Sequence, residues 1–331
     1  MHIVVADKME KEVRDQLGEF GRVDYFGDTP AGEEKDARFR DALNHAEVLI
    51  IRSETKVTVA LIESAPQLKI VARAGVGLDN VDQRACAAKG IEVWNTPGAH
   101  SINVTEHALA LLLAVAKQLE TADHLMRLGE WPKNKVKPIE LRGKTLGLVG
   151  FGRIGQSFGE IAHALGMKIL FFDSKPDLRS DFAMRTDLEM LLRSSDVVSL
   201  HLPMLDSVLI DRTAFSVMKD GAILINTARG GLVDENALIE ALSSGKLFGA
   251  GIDVFGHEPY PQDGPLRKIP SVLITPHIAS ATKEAQLRCG LEIVRRLSET
   301  CDVKVDRTDL ARLSRPPKGS GPLTHSPIKT G

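Results

Sequence analysis

The stretch Thr145-Leu-Gly-Leu-Val-Gly-Phe-Gly-Arg-Ile-Gly-Gln156 constrains this chain more than any other. An apolar run of strand type, Leu146 to Val149, leads into Gly150, Gly152 and Gly155, a G-x-G-x-x-G spacing. From Arg153 onward Ile154, Phe158, Ile161, Ala162 and Leu165 recur at helical spacing, and a second apolar run, Lys168 to Phe172, ends on Asp173. Strand, glycine turn, helix, strand and acid in that order is the layout of a dinucleotide-binding unit. Gly150 permits the tight turn, Gly152 lets a pyrophosphate approach the backbone, and Gly155 lets the helix lie against the strand. Free N–H groups and the positive dipole end of the helix then face the phosphates. Asp173 stands where a carboxylate accepts hydrogen bonds from the adenosine ribose hydroxyls. It favours NAD over NADP, whose 2′-phosphate would meet a like charge.

The rest of the chain is read outward from this unit. Before it, strand patterns at 3–6, 22–26, 48–51, 69–72 and 91–94 alternate with helical patterns at 8–20, 33–44, 59–64 and 81–88. Such alternation argues for a parallel sheet, whose ligands bind beyond the carboxyl ends of the strands. Arg52-Ser53 and Arg73-Ala-Gly75-Val76-Gly77 lie at such ends. Asn95-Thr-Pro-Gly98 breaks the pattern, and one long helix is expected from Ile102 to Leu128. After Asp173, strands are expected at 197–200, 222–226, 249–252 and 272–275, with helices at 187–193, 212–217 and 235–243. Residues 1–99 thus read as the first part of one domain and 100–285 as a second αβ domain around the glycine turn. The first domain lacks a closing element, so the last helix, with Ala285, Cys289, Ile293 and Leu297 stepping by four, is expected to return to it over 286–303. Residues 304–331, with Pro316-Pro317 and many charges, read as a disordered tail.

Composition narrows the function. A chain of 331 residues with net charge −2 has no excess of basic charge for nucleic acid or an anionic membrane. The longest apolar run, Ala108 to Ala116, falls short of the roughly 20 residues needed to span a bilayer. The N-terminus enters a strand directly, so no signal peptide is expected. Cys86, Cys289 and Cys301 are far apart and form no metal or redox pair, which points to a reducing, cytoplasmic setting; no metal site is expected.

A hydride transfer that makes or consumes a hydroxyl needs a proton acceptor and a cation for the substrate carboxylate. His277 follows the last strand, Glu258 lies in Gly256-His-Glu-Pro259 just after Asp253, and Arg229 sits between a strand end and Gly230-Gly231. A histidine beside a carboxylate can shuttle a proton near neutral pH, and an arginine can hold a carboxylate bidentately. Spacing alone leaves an ordinary alternative for each: a surface ion pair for the arginine, a solvated or capping group for the histidine.

Four blocks carry a resemblance that bears on this choice: Arg73-Ala-Gly-Val-Gly-Leu-Asp-Asn80, Asn226-Thr-Ala-Arg-Gly-Gly-Leu-Val-Asp234, Gly251-Ile-Asp-Val-Phe-Gly-His-Glu-Pro259 and Pro276-His277. Together they resemble the D-isomer-specific 2-hydroxyacid dehydrogenase family over about residues 1–300. The resemblance implies two Rossmann-like, doubly wound parallel-sheet α/β domains, a flavodoxin-like substrate domain and an NAD-binding domain. It implies that Arg229 orients the substrate, that Glu258 tunes the histidine and that His277 is the acid–base. Asp253 would contact the nicotinamide carboxamide. Arg153-Ile154, Asp173, His201-Leu202-Pro203 and Thr227-Ala228, with Val76, Arg229 and His277, would line the cofactor. Backbone N–H groups around Gly75, Val76 and Gly77 would receive the substrate carboxylate. The helix from Ile102 would build a homodimer or higher homo-oligomer.

Within the family, Val48-Leu-Ile-Ile-Arg-Ser-Glu-Thr-Lys56 and Ala281-Thr-Lys-Glu-Ala-Gln-Leu-Arg-Cys289 are most similar to members that oxidise 3-phospho-D-glycerate to 3-phosphohydroxypyruvate, a step of serine biosynthesis. A phosphorylated 2-hydroxy acid needs further cations. Arg52 and Arg73, beside Ser53, end consecutive strands, and Lys133 matches a position that in the family can reach a neighbouring subunit's site. Two features depart from the family pattern. Met204-Leu-Asp-Ser-Val208 is shorter than the usual loop after His201-Leu-Pro203, which leaves Ser207 in doubt as a cofactor contact. The stretch after Glu299 is too short for the regulatory domain of some members, so allosteric serine binding is not expected. Two alternatives stay open: reduction of glyoxylate, hydroxypyruvate or another D-2-hydroxy acid partner, and a dinucleotide-sensing protein-binding module like the corepressors of this fold.

Overall fold

The apolar runs of the first hundred residues become five parallel strands: β1 (His2–Val5), β2 (Arg22–Tyr25), β3 (Val48–Ile51), β4 (Ile70–Arg73) and β5 (Glu92–Trp94), ordered β2-β1-β3-β4-β5. This is the flavodoxin-like order, with its switch point between β1 and β3. The computed structural model describes residues 1–30 and 32–301. By contact the chain divides into two units, residues 1–99 with 286 onward, and residues 100–285. The tail expected over 304–331 lies outside the described residues.

The strands of unit one are apolar on both faces because helices cover both. Successive side chains of a strand point to opposite faces. Ile3, Val5, Val48 and Ile50 accordingly join one core with Met9, Val13 and Leu17 of the segment around α1 (Lys11–Leu17). Val4, Leu49 and Ile51 join the other with Ala42, Leu43, Ile62 and Cys86 from α2 (Glu33–His45), α3 (Val59–Glu63) and α4 (Gln83–Ala88). Thr58 and Asp82 cap α3 and α4 by accepting from the N–H groups of Leu61 and Ala85.

Unit two begins with α5 (Ser101–Lys117) and α6 (Leu119–Arg127). Then follow β6 (Thr145–Val149), α7 (Arg153–Ala164), β7 (Lys168–Phe172), β8 (Ala183–Arg185), α8 (Leu188–Ser194) and β9 (Val197–Leu200). The unit ends with α9 (Arg212–Val217), β10 (Ala222–Asn226), α10 (Glu235–Ser243), β11 (Leu247–Ile252) and β12 (Val272–Ile274). The seven strands are parallel and ordered β12-β11-β10-β9-β6-β7-β8. Counted from β6 as the first strand, this is the Rossmann order with one strand added at the far edge. One face packs on α5 and α7 through Ala108, Leu111, Leu112, Phe158 and Ala162; the other packs on α8, α9 and α10 through Leu191, Phe215 and Leu238. Asp187, Asp211 and Asp234 cap those last three helices.

The final helix, α11 (Lys283–Cys301), supplies Cys289, Leu291, Ile293, Val294 and Leu297 to the α1-side core of unit one. Burial pushes the thiols of Cys86 and Cys289 up, so both are inert neutral groups at pH 7.

Two expectations need correction. The helix expected from Ile102 to Leu128 is two helices, because Gln118 adopts the left-handed conformation (φ 51°). Its side-chain oxygen accepts from the N–H of Lys137 at 2.6 Å while Lys117 Nζ donates to the carbonyl of Ile139 at 2.8 Å. The returning segment is hooked at the kink, a non-local tie that helical periodicity cannot register. Strand β8 was not expected; it has three residues and exists by pairing with β7.

Asp7, 3% exposed, joins the end of β1 to the loop after β3. Its carboxylate accepts from Arg52 N at 2.5 Å, Thr55 N at 3.2 Å and Thr55 Oγ1 at 2.5 Å. Asp7→Ala leaves those part-buried donors without their acceptor and is expected to destabilise unit one by about 1.5–3 kcal/mol. Urea unfolding followed by a signal from Trp94 checks this; an unchanged midpoint would show that the carboxylate is not needed.

Candidate active site

The glycine turn lies at the switch point of the second sheet, and its backbone geometry separates packing from ligand binding. Gly150 has φ 97°, and a Cβ there would lie 2.5 Å from the carbonyl oxygen of His201. A Cβ on Gly155 would strike the carbonyl oxygen of Gly150. Gly152 differs: its φ of −77° and ψ of −165° suit any residue, and an added Cβ would meet nothing within 4 Å. Packing within the protein therefore does not require glycine at 152, and the space in front of its backbone is open. No side chain caps α7 at Gly152, which leaves its first N–H groups to that open space.

Ladder pairing levels the neighbouring strand ends. Leu200 is opposite both Val149 and Asn226, so Gly150, His201 and Thr227 follow side by side. The hydroxyl of Thr227 is buried without a hydrogen-bond partner among the described residues. An open backbone approach beside an unsatisfied hydroxyl fits a dinucleotide. Asp173 completes the unit: its carboxylate accepts from Phe151 N and Lys175 N at 2.8 and 2.9 Å. Arg185, on β8, donates to the carbonyls of Asp173 and Lys175 at 2.6 and 2.7 Å and fixes this turn. His201 contacts Ser199 Oγ at 3.0 Å through Nε2 and packs edge-on to Phe158. Burial of the ring pushes its pKa down to about 4, so it is neutral at pH 7. Leu202 lies against Gly150, Pro203 follows on the surface, and Arg153 and Ile154 open α7.

The loops after β10, β11 and β12 hold the proton-transfer candidates. The side chain of Asn226 bridges its own turn, accepting from Ala228 N at 3.0 Å and donating to Arg229 O at 2.9 Å. Gly230 lies so close to the backbone of Phe255 and Gly256 that no side chain fits, which draws the Arg229 loop onto the Glu258 loop. Glu258 accepts from Phe255 N at 2.9 Å through one oxygen and meets His277 Nδ1 at 2.7 Å through the other. With Nδ1 held by Glu258, Nε2 is the nitrogen left for proton exchange, and the imidazole is about half exposed. The backbone of His277 is left-handed, φ 52°.

Asp253, at the end of β11, is fully buried. Its carboxylate accepts from Thr275 Oγ1 at 2.6 Å and from the N–H groups of Ile278 and Ala279 at 2.9 Å each, with His107 Nε2 at 3.3 Å. Burial alone would raise its pKa; the donated hydrogen bonds, from His107 and Thr275 above all, outweigh this and hold it below the ordinary value. The carboxylate is thus engaged with the loop that carries His277.

In unit one, Ile51 pairs with Arg73, so Arg52 and Arg73 end adjacent strands. Ser53 is exposed beside them. The Arg73 guanidinium lies over Gly75, in the space a side chain there would need. Gly75 O accepts from Thr96 N at 2.8 Å and Val76 O from Asn95 Nδ2 at 2.8 Å, which fixes the turn through Gly77. Lys133 is exposed beyond α6, and no described contact joins it to the other candidates.

A Rossmann sheet with an open glycine turn, an acid at the end of its second strand and a histidine–glutamate pair defines a nicotinamide-dinucleotide oxidoreductase. Residues 109–279 match the model of the D-isomer specific 2-hydroxyacid dehydrogenase NAD-binding domain. The chain is 47% identical over 272 residues to a hydroxypyruvate reductase of Thermotoga maritima, covering 80% of this chain and 87% of that one. It is 43% identical to a glyoxylate reductase of Thermococcus litoralis (74% and 78% covered) and 40% identical to a D-3-phosphoglycerate dehydrogenase of Archaeoglobus fulgidus. The last alignment covers 88% of this chain but 56% of that protein, so the chain spans little more than half the length of that relative. Among solved structures it is similar to the TT0316 protein of Thermus thermophilus, with TM-score 0.83, 36% identity and 91% and 97% coverage. It is also similar to the D-lactate dehydrogenase of Aquifex aeolicus complexed with NAD and lactic acid, with TM-score 0.77, 30% identity and 91% and 95% coverage. The chain belongs to the D-isomer-specific 2-hydroxyacid dehydrogenase family, NAD-dependent oxidoreductases built from two parallel-sheet α/β domains.

Sequence reasoning missed Arg185, His107 and Thr275. For Arg185 there was no signal, since its role depends on the unexpected β8. Thr275 directly precedes Pro276-His277, and His107 is a polar residue opening the apolar run 108–116. Neither position carries a signal in the sequence for the partner it meets.

Gly152→Val is the discriminating substitution. The protein offers room for the side chain, so the melting temperature is expected to stay within about 4 °C of wild type, the shift that some 1 kcal/mol produces. NADH affinity, read by fluorescence titration, is expected to fall by more than about tenfold, or 1.4 kcal/mol. Unchanged affinity would mean that the open space is not where the cofactor lies.

Proposed function

We propose that the chain oxidises 3-phospho-D-glycerate to 3-phosphohydroxypyruvate with NAD. The 2.7 Å contact between His277 Nδ1 and Glu258 carries the acid–base part of this reading. The nicotinamide, when bound, accepts the hydride from C2 of the substrate. His277 Nε2 takes the hydroxyl proton, and Glu258 holds the ring and stabilises the resulting imidazolium. Arg229 offers its guanidinium to the carboxylate and the developing carbonyl. In unit one, N–H groups at Val76 and Gly77 receive the carboxylate, while that of Gly75 donates to Arg73 O at 2.8 Å and shapes the turn. Arg52 and Arg73, with Ser53, take the phosphate, and Lys133 adds a cation from a second copy of the chain. Asp173 disfavours the 2′-phosphate of NADP.

What supports the phosphorylated substrate is the pair of arginines at adjacent strand ends and the likeness to D-3-phosphoglycerate dehydrogenases along most of the chain. A second reading, reduction of hydroxypyruvate or glyoxylate, is favoured by the higher identity and fuller mutual coverage of the Thermotoga maritima relative. For the assembly we propose a homodimer through α5 and α6. Helix α6 buries none of its residues, and Leu119, Met126, Leu128 and Trp131 are exposed apolar surface that a second copy would cover. Light scattering at the mass of a single chain would remove this assignment.

One panel tests the reaction: 3-phosphoglycerate, D-glycerate, hydroxypyruvate and glyoxylate, each with NAD(H) and NADP(H). The 3-phosphoglycerate reaction with NAD is expected to lead. Arg52→Gln or Arg73→Gln should lower kcat/KM for 3-phosphoglycerate about 10–150-fold, the equivalent of one charge-assisted hydrogen bond at 1.5–3 kcal/mol, and change D-glycerate much less. Equal losses on both would transfer the assignment to the unphosphorylated acids. His277→Asn is expected to cut kcat about 10²–10⁴-fold with every substrate while NADH binding persists. A variant within threefold of wild type would take His277 out of the chemistry.

A further inference from the structure

His277 is held in a left-handed backbone conformation (φ 52°), which residues with a side chain rarely adopt. Something outside the residue must impose it. Its own N–H donates to Asp253 O at 2.9 Å, and the next two N–H groups, of Ile278 and Ala279, donate to the Asp253 carboxylate. The residue before Pro276 is tied in as well, since Thr275 Oγ1 donates to Asp253 Oδ1 at 2.6 Å. The loop is therefore wrapped around one buried carboxylate.

That carboxylate receives a further donor from another element. His107 on α5 places Nε2 3.1 Å from Thr275 Oγ1 and 3.3 Å from Asp253 Oδ1. The threonine proton is already committed to Asp253, so both atoms facing the imidazole are acceptors. Nε2 of His107 must carry its proton, which fixes the tautomer. One helical turn earlier on α5, Asn103 donates to Ala279 O at 2.6 Å. Helix α5 thus grips the two ends of the loop that carries His277, at Thr275 and at Ala279.

We propose that His107 is a positioning residue for the dehydrogenase reaction: through Thr275 and Asp253 it fixes the loop conformation that presents His277 Nε2 to the substrate. This rests on His277 being the acid–base group. His107 itself touches neither substrate nor cofactor in this scheme. The required chemistry is a neutral or charged group with an N–H at the reach of Nε2, which glutamine can reproduce and leucine cannot.

The test compares His107→Leu, His107→Gln and Thr275→Val with wild type. Steady-state kinetics would be measured on whichever 2-hydroxy or 2-oxo acid turns over best, with NADH binding and melting temperature alongside. His107→Leu is expected to lower kcat about 10–100-fold, the cost of a slightly misplaced catalytic group. KM for the cofactor and NADH affinity should stay within about threefold, because the loss is confined to presentation of the base. His107→Gln should recover to within about fivefold of wild type. Thr275→Val should reproduce the leucine phenotype, and the double variant should be no worse than the poorer single one, since both break the same connection.

A kcat for His107→Leu within twofold of wild type overturns the proposal, as does a glutamine variant as impaired as the leucine one. If His107→Leu does not fold, the other two variants decide. Full activity in Thr275→Val then overturns the proposal; reduced kcat there together with a near-normal glutamine variant upholds it. His277→Asn run in parallel separates the two layers. A fully active His277→Asn removes the acid–base reading and this proposal with it, whereas an inactive one beside an unimpaired His107→Leu removes only this proposal.

Discussion

Parallel pairing is the constraint on which the rest of this molecule depends. Strands that run the same way need a crossover between them, and the crossovers here are helices that cover both faces of each sheet. Two consequences follow. Strand interiors become apolar on both faces, as in Val48-Leu-Ile-Ile51 and Ala222-Ile-Leu-Ile225, whose alternate residues enter opposite cores. All loops at the carboxyl ends of the strands gather on one side, where backbone N–H groups and helix starts are free to serve chemistry rather than the sheet.

In unit two that side is divided by ladder register. The β6, β9 and β10 ends lie level and hold the glycine turn, His201 and Thr227. The β10, β11 and β12 ends hold Arg229, Asp253 with Glu258, and His277. Two close backbone approaches keep these loops in place: Gly155 under Gly150, and Gly230 under Phe255–Gly256. A methyl group at either glycine would push apart segments that must touch. Gly152, by contrast, is unconstrained by the protein and faces open space.

Electrostatics works differently at the two histidines of the sheet ends. His201 is part-buried and kept neutral by desolvation, so it serves as packing and hydrogen-bonding surface rather than as a proton carrier. His277 is half exposed and held at Nδ1 by a carboxylate, which leaves its other nitrogen available. The same residue type performs two physical tasks because one ring packs against Ser199 and Phe158 and the other is half exposed. Asp253 shows the third possibility, a charge kept in the interior by the number of donors aimed at it.

Much of this was legible in the chain itself. Periodicity marked nearly every strand and helix, because two-sided burial and helical stripes are local patterns. The glycine spacing with Asp173 gave the cofactor unit, and short blocks such as Asn226 to Asp234 gave the family. What the sequence could not supply were contacts between elements distant along the chain. The break at Gln118 is set by its bond to Lys137, and β8 exists only against β7. The grip of Asn103 and His107 on a loop some 170 residues away, at |i−j| of 176 and 168, leaves no periodic trace. The sequence by itself determined most of the strands and helices and the glycine turn, since local propensity and burial pattern act over a few residues. Only the tertiary structure decided which buried polar groups meet, because a hydrogen bond depends on distance and direction in space, and these follow from packing.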